Sequence, residues 1–197
     1  MVRALADGFI TGPRETMKRG KSVMTGDPKA YEKLQRKRFR QTVHRLWEMV
    51  KAGTVDELSE KENRLACIIM DHQEYHDHFE NTDILDGREY EAGMKFNPYA
   101  HISTHQMVED QLSSSSPIET VLFCEAMEEK GMPRHEAVHL IMMILIRVIA
   151  VSAANQQPFD TARYKRLLDA CGRVEPSEVG GIIDADFSCN AYRQGLH

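Results

Sequence analysis

The sequence predicts an all-α fold, an antiparallel bundle of about five to six helices with a histidine-rich site at one end. Three observations predict the fold class. Apolar residues recur at three- and four-residue spacing through most of the chain, helix-starting and helix-stopping residues bracket those stretches, and no segment alternates apolar and polar residues as a half-buried strand would. With 197 residues, 42% hydrophobic and 28% charged, the chain has the balance of a soluble globular protein and the length for a substantial core.

Residues 1–26 carry Gly, Pro and the cluster Arg14, Lys18, Arg19 and Lys21 without an apolar period, and are read as a loosely held basic arm. A first helix is signalled by Asp27 as N-cap, Pro28 at the first helical position and the stripe Tyr31, Leu34, Phe39, Val43, Leu46, Trp47 and Val50, with Gly53 as its stop. The second opens on Thr54-Val55-Asp56-Glu57, a capping-box pattern, and its inward stripe runs Leu58, Leu65, Ile69, His72, His76, Phe79 to an end near Asn81. Residues 82–96 read as an acidic connecting loop.

Asn97 then caps a third helix with Pro98 at its first position, carrying His101, His105, Val108 and Leu112 into Ser113–Ser116. Ser116 with Glu119 three residues on is expected to cap a fourth, which stops at Gly131. Pro133 begins a fifth, with His135, His139, Met142, Ile146 and Ile149 on one face; it is apolar nearly all round and is placed at the bundle centre. A shorter sixth runs from Thr161 to Cys171 and is closed by Gly172. Residues 27–172 thus form one helical-bundle domain, and 173–197, with Gly180-Gly181, are expected to be an irregular tail packed on it.

Composition narrows the partners. Thirty acidic against 25 basic residues give no polyanion-binding balance, so nucleic acid is not expected. The greasiest stretch, Leu140–Ala154, is short for a membrane span and contains Arg147, so it reads as a core helix with no membrane partner. The N-terminus lacks the continuous apolar core of a secretory signal, and the cytoplasm is the expected compartment. Cys67, Cys124, Cys171 and Cys189 lack paired metal-site spacing and read as reduced thiols.

The chemistry lies in histidine. For 9 histidines in 197 residues, chance placement gives on the order of 0.4 pairs four residues apart, by template counting. The chain has His72/His76, His101/His105 and His135/His139. Residues four apart on a helix share a face with Cβ atoms about 5–6 Å apart, so two imidazoles can converge on one ion. Each pair continues the apolar stripe of its helix, and consecutive antiparallel helices would bring all three pairs to the same end of the bundle. Six buried imidazoles without a cation need many hydrogen-bond partners. The expected ligands are therefore His72, His76, His101, His105, His135 and His139.

Imidazole nitrogen suits a transition metal, with zinc or iron as the expected cofactor, in a mono- or dinuclear site. Glu74, Asp77, Glu109, Asp110 and Glu136 are carboxylates that could complete or bridge it. His135-Glu136-Ala137-Val138-His139 matches H-E-x-x-H, in which a helix supplies two zinc ligands and a general base, so Glu136 is the candidate catalytic residue if hydrolysis occurs. The leading expectation is a metal-binding protein of unassigned activity, with a small-molecule substrate as a further possible partner. A hydrolytic or di-iron oxidative metalloenzyme is one alternative, and an interaction module with a buried histidine network is another.

Three segments together, His72-Gln73-Glu74-Tyr75-His76, Asn97 through His105 (N-P-Y-A-H-I-S-T-H), and His135 through Met142 (H-E-A-V-H-L-I-M), resemble a family of small bacterial helical proteins, the domain of unknown function numbered eighteen forty-one. The resemblance covers about residues 40–150 and implies that the six histidines are one signature constellation. It implies no activity. Val138 and Asp110 stand where members of that family often have glutamates, so it implies no fixed carboxylate ligand.

Overall fold

The structure is a computed structural model that describes residues 28–80 and 97–194. The expected basic arm, the Asp27 cap and the loop 82–96 lie outside the described residues. Among the described residues every regular element is helical, with eight α-helices and three short 3-10 turns. The chain groups into two compact units that join in sequence at Ser103 and Thr104.

The first unit holds α1 (Pro28–Ala52), α2 (Glu60–Asp71), α3 (His76–Glu80) and the first residues of α4 (Pro98–Ser114). Gly53 ends α1 at φ 68, a left-handed conformation that a residue with a Cβ adopts only at a cost. Gly53 N–H and Thr54 N–H close the last turn on the carbonyls of Val50 and Met49, at 3.1 and 3.0 Å. The Thr54 hydroxyl also reaches the Met49 carbonyl, at 3.4 Å. Thr54 is thereby engaged in closing α1 and does not cap α2 as expected; Val55–Glu57 forms a 3-10 turn instead. The capping box belongs to Ser59 and Glu62, each side chain accepting the other's backbone N–H.

The second expected helix is also not continuous to Asn81. It breaks at His72 (φ −112, ψ 65), passes through a 3-10 turn at Gln73–Tyr75 and resumes as α3. The His72 ring supplies the reason: its Nδ1 donates to the Ile68 carbonyl at 2.7 Å, offering the end of α2 a side-chain partner where a continuing helix would supply a backbone N–H. Residues of α1 then hold α3. His44 Nδ1 donates to the Phe79 carbonyl at 2.8 Å, and the Glu80 carboxylate accepts from Trp47 Nε1 at 2.5 Å and Lys51 Nζ at 2.6 Å. Beneath these bonds Val43, Leu46, Ile69, Phe79 and Ile102 are fully buried. Asn97 caps α4 as expected, its Oδ1 accepting Ala100 N–H at 3.0 Å.

The second unit contains the rest of α4 with α5 (Ile118–Glu129), α6 (Arg134–Ala154), α7 (Thr161–Gly172) and α8 (Val179–Gln194). α5, α6 and α7 pack on one another, and α8 packs on α6 and α7. α6 is long and apolar enough to cross a membrane by length and composition. Its Ala137, Val138, Ile141, Ile144, Leu145 and Val148 nonetheless lie within the core of this unit, as the sequence led us to expect of a central helix.

Two expectations are corrected in this unit. Ser116 does not cap α5: Pro117 occupies the cap position without a side-chain bond, and its carbonyl takes Thr120 N–H at 3.1 Å. Ser116 N–H instead closes the end of α4 on the Gln111 carbonyl at 3.0 Å, so Ser116 belongs to the end of the preceding helix and not to the cap of α5. The tail expected to be irregular contains α8 instead. Two glycines in a first turn cost about 1 kcal/mol each against alanine. Burial of Val179 and Ile183 outweighs this, at about 1.5–3 kcal/mol for each large aliphatic side chain. Arg163 of α7, itself buried, donates through Nε to Asp186 at 2.7 Å and lies 4.1 Å above the Phe187 ring, fixing α8 in place.

Candidate metal centre

In the second unit, α4 contributes His105 and α6 contributes His135 and His139 one turn apart. The ring centroids are 5.1 Å apart for His105 and His135, 5.5 Å for His105 and His139, and 4.3 Å for His135 and His139. One nitrogen from each ring lies within 4.8 Å of the others. Three nitrogens around a tetrahedral ion at 2.0–2.1 Å stand about 3.3–3.4 Å apart, so closure needs shifts of roughly 1 Å. Such shifts are within side-chain reach. His105 is buried and the other two half-buried, with Val138 and Met142 of α6 and Val108 of α4 packed into the core beside them. This cluster can hold a metal ion.

Helix ends position the rings. Pro133 stands at the cap of α6, so His135 lies in its first turn, and the rest of α6 is anchored by the core. Arg134 is locked to α4 by a two-pronged ion pair: its two terminal nitrogens donate to the two Glu109 oxygens at 2.7 and 2.8 Å. Glu109 lies one turn beyond His105 and Arg134 immediately precedes His135, so the fork joins the two backbones that carry facing rings. Glu109 holds the Arg134 guanidinium charged, well above its usual range.

In the first unit, His72 and His101 bring their Nε2 atoms to 2.8 Å. A carbonyl can only accept, so the bond to Ile68 puts a proton on His72 Nδ1 and leaves Nε2 as the lone-pair nitrogen of the neutral ring. His76 is oriented by the neighbouring carbonyl: its Nε2 donates to Ile69 at 3.0 Å, leaving Nδ1 as its lone-pair nitrogen. The last carbonyls of α2 thereby set both rings by the kind of outer hydrogen bond that orients metal-binding histidines. Tyr75 stacks on His72 at 5.6 Å and meets His101 edge-on at 5.3 Å, and the His76 ring lies 4.2 Å from Trp47. Burial raises the Tyr75 hydroxyl above its ordinary pKa, as does the charge of Glu74 to a lesser degree.

Among the candidate carboxylates, Glu74, Asp77 and Glu136 are exposed, Asp110 is half-buried and Glu109 is bound by Arg134. Glu136 therefore lies on the open side of the first turn of α6. Sequence reasoning missed the Arg134–Glu109 fork, the Tyr75 wedge and the Trp47 contact. The one local signal was a cation in the first turn of a helix, a position the helix dipole disfavours.

A family model described as a domain of unknown function (DUF1841) matches residues 35–170. No curated protein and no solved structure matches the chain.

Proposed function

We propose, for a chain that belongs to the DUF1841 family of domains of unknown function, that it is a metal-binding protein whose ion is held by His105, His135 and His139. The observation that carries this reading is the approach of three imidazole nitrogens to within 4.8 Å of one another from two helices. An all-imidazole donor set suits zinc or iron. His72 through Nε2, His76 through Nδ1 and His101 are proposed as further donors, supported by the outer hydrogen bonds that set their rings. Whether one or two ions are held follows from stoichiometry.

A second reading has its own support. The 2.8 Å contact of His72 with His101 is the length of an N–H···N hydrogen bond and shorter than the separation of two ligands on a tetrahedral ion, so this couple can be satisfied as a buried histidine network.

Elemental analysis of protein purified without an affinity tag separates the two. The metal reading expects at least one zinc or iron per chain, lost in His105→Ala and in His139→Ala. A parent protein that carries no stoichiometric metal and takes up neither added zinc nor ferrous iron overturns it and leaves the network.

A further inference from the structure

Glu109 follows His105 by four residues on α4, so its Cβ lies about 5–6 Å from that of His105 on the same face. Its side chain is only 14% exposed. An ionised carboxylate so placed is a natural oxygen ligand for an ion held by His105, yet both of its oxygens are taken by the Arg134 fork at 2.7 and 2.8 Å. Arg134 opens α6, where its charge opposes the helix dipole, so helix stability gives no reason for a cation there. The neighbouring Pro133 and Glu136, by contrast, suit a helix start.

We propose that Arg134 sets the metal selectivity of the three-histidine centre by holding the Glu109 carboxylate away from the ion. This rests on the metal-binding reading above. Three neutral imidazoles leave a divalent ion its full charge and favour zinc, copper, nickel or iron, whereas one carboxylate in the donor set lowers the net charge and shifts preference toward oxygen-seeking ions such as manganese. The guanidinium is suited to this role because its planar fork occupies both oxygens at once; an ammonium is a single point charge and leaves one oxygen available. Arg134 is thus a specificity-determining residue that does not touch the ion.

The test is competition of zinc and manganese against a chromophoric chelator, with the visible absorption of the cobalt(II) form, on the full chain and three variants. In Arg134→Ala the zinc-over-manganese preference falls by about tenfold or more, the scale of outer-shell effects on metal sites. The cobalt band also weakens as the coordination number rises. Arg134→Ala/Glu109→Ala returns the preference to within about threefold of the parent, because the released carboxylate is gone. Arg134→Lys lies between. A parent that binds metal while Arg134→Ala keeps the same preference and the same cobalt spectrum overturns the inference and leaves the metal reading standing. A parent that binds no metal overturns both. Where thermal unfolding shows that Arg134→Ala does not fold, Arg134→Lys decides, an unchanged preference and spectrum counting against the proposal.

Discussion

Replacing His105 by alanine removes one of three converging nitrogens at a position only 2% exposed, and its effect on metal-linked stability can be worked out in advance. An ion that binds only the folded chain stabilises it by about 2.7 kcal/mol at a free concentration one hundred times the dissociation constant. For a chain of about this size each kcal/mol moves the melting temperature by roughly 2–4 °C, so buffered zinc should raise the parent by about 5–11 °C. Losing a direct donor should weaken binding by about 100-fold or more, since changes merely behind the ligands cost 10–100-fold. At the same free zinc His105→Ala then gains only about 0.4 kcal/mol, roughly 1 °C. The assay is a circular-dichroism melt of each protein with chelator and with buffered zinc. Each variant is compared with its own chelated form, which removes the cost of the cavity itself. An equal zinc-induced rise in parent and His105→Ala would exclude His105 as a ligand.

Three further outcomes follow from other parts of the molecule. Cobalt(II) bound through His76 Nδ1 should quench Trp47, the single tryptophan, because the two rings lie 4.2 Å apart; emission that is as strong with cobalt as with diamagnetic zinc would remove His76 from the donors. Burial pushes the Cys124 and Cys171 thiols up to about 11, while Cys67 is exposed, so at pH 8 a thiol reagent followed by mass spectrometry should label Cys67 ahead of Cys124 and Cys171 and reach those two only on unfolding. Glu62 is held down to about 2 from 4.5, first by the Ser59 hydroxyl, then by the Ser59 N–H and Arg45. Its folded pKa is depressed, so its contribution is complete above about pH 4.5 and is lost as pH falls toward 2. The gap in melting temperature between parent and Glu62→Gln should close across that window, and a gap independent of pH would count against the capping box as its source.

What was legible in the sequence was what local chemistry decides. Pro28, Asn97-Pro98 and Pro133 mark helix starts and Gly53 and Gly131 mark stops because caps act within a few residues, and α1, α4 and α6 lie where those signals put them. His105, His135 and His139 were placed on inward faces by periodicity, and they meet. The departures have non-local or competing causes. Thr54 and Ser59 both begin a plausible capping box, and only the closure of α1 on Met49 decides between them. The break at His72 comes from its own ring competing for a helix carbonyl, which an apolar stripe does not reveal. α8 is held by Arg163 from 23 residues away, and Glu109 meets Arg134 across 25, so neither leaves a mark within a helical window.

X-ray absorption at the edge of the bound metal reads the donors around the ion themselves rather than an effect on the whole chain. The parent zinc form should show at least three imidazole nitrogens at about 2.0–2.1 Å, with their ring scattering, and His105→Ala fewer. A first shell made only of oxygen, or one unchanged by removal of His105, would contradict a three-histidine centre.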